Sequence, residues 1–248
     1  MSVANILLPY QRRWVADTAR VRVWEKSRRI GASYCEAFQS VMEAAKSREA
    51  GGQDTFYLSY NKEMTQTFIR DCAFWAKTLN VLAEKSEEIV LRDEDRDITV
   101  YRIRFASGFN VWGLPSEARS LRSKQGRVII DEAAFVDDLP ELMKAAFALL
   151  MWGGSVSILS THNGEENPFN ELLKEIRSGE RNYSLHRTTL WTTPLPTACS
   201  RPSASVPIPP VSGHGRPRRH GGPVSSRTTA TGPTRNCSAS PTAPAVPT

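Results

Sequence analysis

Apolar residues recur along the chain with two different periods, and segments of the two kinds alternate. Apolar residues return every three to four positions in five segments, which predict helices at 7–19, 33–47, 62–79, 139–152 and 167–179. Seven other segments alternate or are short and almost wholly apolar, and they predict strands at 20–25, 55–61, 98–105, 109–114, 127–134, 155–161 and 182–190. The two strands that flank the Ser-Gly turn near residue 107 predict a hairpin. Strands that alternate with helices are typical of an α/β fold with a mainly parallel sheet flanked by helices.

The stretch EKSRRIGAS, residues 25–33, joins the first predicted strand to a helix. Ligands of parallel sheets bind beyond the carboxyl ends of the strands, and a helix N-terminus offers unpaired N–H groups to a phosphate. In the usual phosphate-binding loop a lysine directly precedes the hydroxyl residue that binds Mg²⁺, but here Ala32 precedes Ser33. The cations that remain are Lys26, Arg28 and Arg29. The stretch therefore indicates either a variant nucleotide site or a basic turn between a strand and a helix.

A second candidate site follows the predicted strand at 127–134, where Asp131 and Glu132 are adjacent. Because side chains alternate along a strand, we expect the two carboxylates to point in different directions. One of them can then hold Mg²⁺ while the other polarises an attacking water, as phosphoanhydride hydrolysis requires. The alternative is an acidic N-cap for the next helix.

Two further features gain weight from their order along the chain. Ser160 and Thr161 end a buried strand, where hydroxyl groups can sense a γ-phosphate, although a plain strand end with an Asn-Gly turn is the alternative. Gln11 lies in the first predicted helix, where its amide either reads adenine or is simply solvated. The order of Gln11, the 25–33 loop, the acidic pair and the hydroxyl pair is that of an additional-strand ATPase.

Composition divides the chain near residue 190. Residues 191–248 contain no Asp, Glu or Lys, but they hold 6 of the arginines and 12 of the 16 prolines, so that the whole formal charge of +6 comes from this tail. Dense proline and few large apolar residues predict disorder. The tail is either a natural basic arm or, as we favour, a frameshifted read-through of a GC-rich gene.

The cysteines and the N-terminus indicate a reducing compartment and no membrane segment. The four cysteines, at 35, 72, 199 and 237, show no paired metal spacing, and Cys35 and Cys72 are predicted to be packed thiols. The N-terminus has no apolar signal core, and no run of residues approaches the length of a membrane span.

Five stretches of the chain resemble the large terminase subunit of tailed phages, most closely the type carried by Mu-like phages and prophages. They are 10–14, 25–33, 58–64, 114–135 and 158–173, and the resemblance that they carry extends over essentially all of residues 1–190. Such proteins are motors that use ATP to push double-stranded DNA into preformed capsids. The resemblance implies a P-loop, additional-strand (RecA-like) ATPase domain over residues 1–190. It implies ATP and Mg²⁺ as cofactors, and double-stranded DNA, the small terminase subunit and the portal protein as partners. It also implies a homo-oligomeric ring in the host bacterial cytoplasm.

The same resemblance implies roles for individual residues. Lys26 matches a Walker A lysine displaced to the start of the loop, Gly31 matches the loop glycine, and Ser33 matches the hydroxyl ligand of Mg²⁺. Asp131 matches the Walker B ligand of Mg²⁺, Glu132 the catalytic carboxylate, and Arg28 a loop arginine that acts on the γ-phosphate. The remaining expected nucleotide contacts are Gln11 at adenine, Ser27, Arg29 and Ala32 in the loop, and the coupling motif Ser160 and Thr161.

The tail departs from the family pattern, because a nuclease domain of RNase H-like fold should begin soon after residue 190. Such a domain needs several acidic metal ligands, so we expect no nuclease activity from residues 191–248. Two alternatives to a packaging ATPase remain. One is a helicase-like remodeller, and the other is a truncated prophage fragment that binds nucleotide or partners without turnover. Candidate contacts to the DNA backbone are Arg119, Arg122 and Lys124, in what is otherwise an exposed basic loop.

Overall fold

An eight-stranded sheet forms the centre of the molecule, in a computed structural model that describes residues 6–81, 83, 87–93 and 96–189. The strands are β1 (Val21–Lys26), β2 (Thr55–Ser59), β3 (Glu87–Asp93), β4 (Arg96–Arg104), β5 (Asn110–Pro115), β6 (Arg127–Asp131), β7 (Ser155–Ser160) and β8 (Ser184–Thr188). Their order across the sheet is β3-β4-β5-β2-β6-β7-β1-β8. In this order, the last six strands, β5-β2-β6-β7-β1-β8, pair in parallel. The first two pairs, β3 with β4 and β4 with β5, are antiparallel. The predicted α/β fold, its mainly parallel sheet and the hairpin of β4 and β5 are therefore confirmed.

Five α-helices cover the two faces of this sheet. They are α1 (Pro9–Ala16), α2 (Ala32–Ala44), α3 (Lys62–Thr78), α4 (Leu139–Ala148) and α5 (Pro168–Ser178). Each corresponds to a helix predicted from the apolar period. Polar caps account for several of the starts: the side chains of Asn61, Asp138 and Asn167 accept hydrogen bonds from backbone N–H groups in the first turns of α3, α4 and α5.

Three predicted helices, α1, α2 and α4, end three or four residues earlier than their apolar pattern suggests, and a local cause is visible for α1 and α4. Helix α1 stops at Ala16 because Asp17 is extended and its side chain accepts a hydrogen bond from Ala19 N at 2.9 Å. Helix α4 stops at Ala148 and continues as a 3-10 turn to Trp152, where Gly153 takes a left-handed φ of 89° that ends the segment. In both places local backbone geometry overrides a hydrophobic period that runs on.

Strand β3 was not predicted from the sequence. Its residues, EEIVLRD, place three apolar residues in a row between charges, so that no alternation marks a face. At the edge of a sheet, backbone hydrogen bonds to one neighbour can carry a strand without a clear apolar face, and β3 has such a neighbour in β4.

Side-chain alternation divides the central strands between two cores. The face covered by α1, α2 and α3, here called the α2 face, contains Trp24, Ile129 and Leu159 in its core. The opposite face, covered by α4 and α5 and here called the α4 face, contains Val23, Ile130 and Ile158. Side chains two residues apart along a strand point to the same face of the sheet. The α2 face therefore also carries the side chains of Arg22, Lys26, Arg127, Asp131, Ser157 and Thr161.

The predicted packed thiols lie in the core of the α2 face. Cys35 and Cys72 are fully buried and free, and burial raises the pKa of both thiols. Cys199 and Cys237 lie outside the described residues.

All described residues fall in one compact unit. The predicted tail, residues 191–248, lies outside the described part, so the domain boundary near residue 190 stays a prediction. In the part of the chain that the structure describes, no helix is both long and apolar enough to cross a membrane.

Candidate functional site

The 25–33 loop lies at the carboxyl edge of the sheet, between the end of β1 and the start of α2. Gly31 precedes the helix with a left-handed φ of 71°. A Cβ atom added there would lie 2.9 Å from Gln11 Nε2, so that both the backbone conformation and the space favour glycine. Arg28 and Arg29 are exposed, with Arg29 at a φ of 59°. The loop therefore presents two guanidinium groups outside and a helix N-terminus at its end.

Lys26 occupies the centre of the site, because it is the last residue of β1 and points to the α2 face. Its ammonium is almost fully buried and lies 2.7 Å from Glu132 Oε1 and 3.7 Å from Asp131 Oδ1. Lys26, at the end of β1, thus contacts the acidic pair at the end of β6, although β7 lies between these two strands in the sheet. Burying an ammonium among carboxylates is favourable only because they pair.

Ser33 and Asp131 meet directly. The Ser33 hydroxyl donates to Asp131 Oδ2 at 2.5 Å, and the Tyr57 hydroxyl donates to the same oxygen at 2.9 Å. Burial raises the pKa of Tyr57, and the neighbouring Asp131 carboxylate raises it further, so Tyr57 remains a neutral donor. Asp131 itself is fully buried. The two hydroxyl donors and the Lys26 ammonium stabilise its carboxylate in this position.

Glu132 corrects one expectation from the sequence. Alternation predicted that the two carboxylates point in different directions, yet both lie within 4 Å of the Lys26 ammonium. The reason is local: β6 ends at Asp131, and Glu132 takes a left-handed conformation with φ 52° and ψ 44°. This turn brings its side chain back toward the α2 face. Its Oε2 atom is buried and has no hydrogen-bond partner among the described residues.

Ser160 and Thr161, expected to act together, lie on different faces of β7. Thr161 follows the strand on the α2 face, and its buried Oγ1 has no hydrogen-bond partner within the described ranges. The Ser160 hydroxyl instead accepts a hydrogen bond from Ala134 N at 3.0 Å, directly behind Glu132. Of the two hydroxyls, that of Thr161 is thus the one without a partner among the described residues, whereas Ser160 holds the acidic turn.

Gln11 lies beside the loop, but its carboxamide is used within the protein. Its Nε2 atom donates to Gly31 O at 3.0 Å and to Ile30 O at 3.4 Å, while its Oε1 atom accepts from Leu8 N at 2.9 Å. In this arrangement Gln11 ties α1 to the loop, and an adenine contact stays a prediction.

The predicted Mg²⁺ ligands have the right chemistry for a hard cation. Ser33 and Asp131 offer adjacent oxygen atoms, and Mg²⁺ is usually held by one or two protein groups together with waters and phosphates. The described residues contain no group of three or more His, Cys, Asp or Glu that could hold a metal by themselves. The oxygen atoms of Ser33 and Asp131 therefore fit the protein side of such a coordination.

A cluster of charged groups around Glu25 was missed by the sequence reasoning. The Glu25 carboxylate pairs with His162 Nε2 at 2.8 Å, with Arg177, and with Arg187 Nε at 3.4 Å. Burial would raise its pKa, but these partners outweigh burial and lower it. The sequence carried a signal, since Glu25 alternates with Lys26 and must face the α4 side, where a buried carboxylate needs partners.

The basic loop before β6 differs from the expectation of free phosphate contacts. The Lys124 ammonium lies 5.6 Å from the Phe56 ring centre and 5.2 Å from that of Trp112, and burial lowers its pKa. Arg119 pairs with Glu117, whereas Arg122 is exposed. Of the three candidates, Arg122 is thus the one whose side chain most resembles a free basic contact.

Comparisons with known proteins identify relatives of this chain. No protein-family model matches the chain. The Mu-like prophage FluMu protein gp28 of Haemophilus influenzae is 49% identical over 185 residues, which cover 75% of this chain and 36% of that protein. The probable terminase large subunit gp28 of Escherichia phage Mu is 47% identical over 189 residues, covering 75% of this chain and 34% of that protein. This chain therefore spans about a third of the length of these relatives.

A solved structure shares the fold at low sequence identity. The large terminase of bacteriophage HK97 superimposes with a TM-score of 0.51 at 10% identity, over 73% of this chain and 39% of that one. The chain is therefore similar, over about three quarters of its length, to gp28 of a Mu-like prophage and to the probable terminase large subunit gp28 of phage Mu, and it shares its fold with the HK97 large terminase.

Proposed function

We propose that the folded part of this chain is an ATPase that hydrolyses ATP with Mg²⁺. The observation that carries the proposal is the convergence of Lys26, Ser33, Asp131 and Glu132 at the carboxyl edge of the sheet. An ammonium, a hydroxyl and two carboxylates from β1, α2 and the end of β6 are the groups that phosphoanhydride hydrolysis uses.

In the proposed reaction the triphosphate lies over the loop, against the N–H groups at the start of α2. Ser33 and Asp131 would hold Mg²⁺, which would supply positive charge against the phosphates when bound. Thr161, on the same face, offers to the terminal phosphate a hydroxyl that has no partner among the residues that the structure describes. Arg28 lies exposed in the loop, from where its guanidinium can stabilise charge on the γ-phosphate.

Lys26 has two competing sets of partners in this proposal. One partner is the Glu132 carboxylate, which lies 2.7 Å from its ammonium. A triphosphate offers several anionic oxygens in place of this one carboxylate oxygen, so its arrival draws the ammonium away. Glu132 is then released to orient the attacking water, as a general base requires. Nucleotide binding itself thereby assembles the hydrolytic arrangement.

The test is phosphate release by the purified chain and two variants. Lys26→Ala should abolish hydrolysis because it removes the phosphate partner, and Glu132→Gln should abolish hydrolysis while nucleotide still binds. The matched controls are Lys144→Ala and Glu141→Gln, at two exposed side chains of α4, and both should keep the wild-type rate.

Two outcomes would contradict the proposal. Hydrolysis that survives both substitutions would show that the site lies elsewhere. A wild-type chain that releases no phosphate would exclude turnover, and thermal stabilisation by nucleotide would then identify a fragment that binds without hydrolysing. Saturation at about 100 times Kd should add roughly 2.7 kcal/mol of stability, which a melting experiment resolves easily.

We further propose that hydrolysis drives the packaging of double-stranded DNA. The name of the phage Mu relative, a probable large terminase subunit, supports this. The same reasoning gives the small terminase subunit and the portal protein as partners, a homo-oligomeric ring as the working assembly, and the host bacterial cytoplasm as the location. Contacts to DNA would be made to its phosphate backbone, with Arg122 as the first candidate.

A further inference from the structure

The short turn that follows Glu132 is held by three side chains, one at the end of β7 and two from the segment that follows it. Ala134 N donates to the Ser160 hydroxyl at 3.0 Å. Ala134 O accepts from Asn163 Nδ2 at 3.1 Å and from Asn167 Nδ2 at 2.9 Å. Both backbone polar groups of Ala134, two residues after Glu132, are therefore fixed by one neighbouring segment.

Such bracing has a physical reason, because the backbone of Glu132 is in a costly conformation. A residue with a Cβ atom seldom adopts a φ of 52°, and such a conformation persists only where the surrounding structure holds it. The conformation also decides function in the proposed site, since it is what turns the Glu132 carboxylate toward Lys26.

Asn167 makes two contacts with one carboxamide. Its Oδ1 atom accepts from Phe169 N at 3.0 Å and so caps helix α5, while its Nδ2 atom donates to Ala134 O. The first turn of α5 and the turn behind Glu132 are thus joined through a single planar group. Any displacement of one must move the other or break a hydrogen bond.

We propose that Asn167, with Ser160 and Asn163, is a positioning residue that holds Glu132 in its left-handed conformation and couples it to α5. This assignment rests on the ATPase function proposed above. These three residues do not touch the reacting atoms; they act through the backbone of Ala134.

The decisive variant is Asn167→Asp, because aspartate keeps the oxygen that caps α5 and loses the N–H that binds Ala134 O. The matched control is Asn170→Asp, since Asn170 Nδ2 also donates to a loop carbonyl, Glu165 O at 2.8 Å, in the same region. We expect Asn167→Asp to lower kcat by roughly tenfold or more with KM for ATP unchanged, because a small displacement of a catalytic group is costly. Asn170→Asp should keep the wild-type kcat.

Amide hydrogen exchange without nucleotide provides a second measurement that does not depend on turnover. The segment 132–136 should exchange faster in Asn167→Asp and in Ser160→Ala than in wild type or in Asn170→Asp. Asn163→Asp is a further variant at an exposed position, where folding is not at risk, and it should change exchange in the same direction.

The results separate this inference from the proposed function. If the wild-type chain hydrolyses no ATP, the ATPase proposal fails, and the exchange rates still decide whether the three side chains hold the turn. If exchange in 132–136 is the same in all variants, the proposal that the three side chains hold the turn is wrong. If exchange rises but kcat does not fall, the turn is held for stability alone, and the positioning role is wrong.

Discussion

At the scale of single residues, the site depends on two backbone conformations that an L-amino acid seldom adopts. Gly31 begins α2 with a positive φ in a space where a Cβ atom would meet Gln11, and Glu132 takes a positive φ although it carries a full side chain. The first is resolved by glycine, which has no Cβ. The second is tolerated because Ser160, Asn163 and Asn167 hold the following turn.

Glu25 is the residue whose ionisation should leave a visible mark on stability. Its neighbours His162, Arg177 and Arg187 hold its pKa below the ordinary value of 4.5, against the effect of burial. A carboxyl with a lowered pKa stabilises the fold above its unfolded-state pKa and loses that contribution as the pH falls through its folded-state pKa. We therefore expect Glu25→Gln to be less stable than wild type at pH 7, with the difference shrinking below pH 4.5.

Urea unfolding of both proteins at several pH values between about pH 7 and pH 3 measures this difference in the free energy of unfolding. This range is chosen because paired carboxylates become protonated toward its acid end. The exposed Glu141 provides the control, since glutamine there should leave the pH profile of wild type in place. A Glu25→Gln difference that stays constant down to the lowest pH would contradict the assignment.

At the scale of elements, helix α2 is attached to strand β6 at two points along the same face. Ser33 bonds Asp131 at the carboxyl end of the strand. One helical turn later, Glu36 pairs with Arg127 at the beginning of the strand, and both side chains are fully buried. The period of the helix brings Ser33 and Glu36 to one side, and the period of the strand brings Arg127 and Asp131 to one face.

The buried pair between Glu36 and Arg127 should be strongly coupled. Arg127→Met removes the ion pair of the buried Glu36 carboxylate, a loss that typically costs about 3–5 kcal/mol. Glu36→Met should cost less, because Arg127 still pairs with Glu43 at 3.3 Å. The double variant Glu36→Met/Arg127→Met should lose much less than the sum, since it removes both charges together. Urea unfolding of the four proteins in a double-mutant cycle gives the coupling free energy.

The matched control is the exposed pair of Glu141 and Lys144 on α4, 4.0 Å apart. Its coupling should not exceed about 1 kcal/mol, because solvent screens exposed charges. Additive losses at Glu36 and Arg127 would show that the pair does not fasten α2 to β6.

At the scale of the whole molecule, charge is distributed very unevenly between the two predicted parts. Residues 1–190 carry equal numbers of basic and acidic side chains, while the tail contributes six arginines and no acid. Non-specific binding to duplex DNA depends on the number of phosphates neutralised, so most of it should come from the tail. A chain that ends at residue 190 should therefore bind DNA more weakly than the full chain.

The measurement is DNA affinity as a function of salt concentration. Each phosphate contact contributes about 0.9 to the slope of log K against log salt, so the loss of the tail should reduce the slope by up to roughly 5. The thermal unfolding of the shortened chain should match that of the full chain, because the composition of the tail offers no core. An unchanged salt slope would place the DNA contacts in residues 1–190, where Arg122 is exposed.

Much of this architecture follows from the sequence. The periods of 3.6 and 2 identify all five helices and seven of the eight strands, because in these segments the face that is buried also sets the spacing of apolar residues. The carboxyl edge of a parallel sheet then predicts where Lys26, Ser33 and Asp131 should lie. The edge strand β3 was not predicted, because backbone hydrogen bonds can hold a strand that has no apolar alternation to mark a buried face.

Contacts between distant segments required the folded structure. The cluster around Glu25 and the hydrogen bonds that hold Ala134 join residues 26 to 162 positions apart in the chain. A sequence pattern reports the period of one segment, whereas a hydrogen bond between segments depends on their relative placement to within a fraction of an ångström. The turn of Glu132 illustrates the difference: strand alternation predicts that its carboxylate points away from Lys26, and a single left-handed residue, held by neighbours from another part of the chain, reverses that direction.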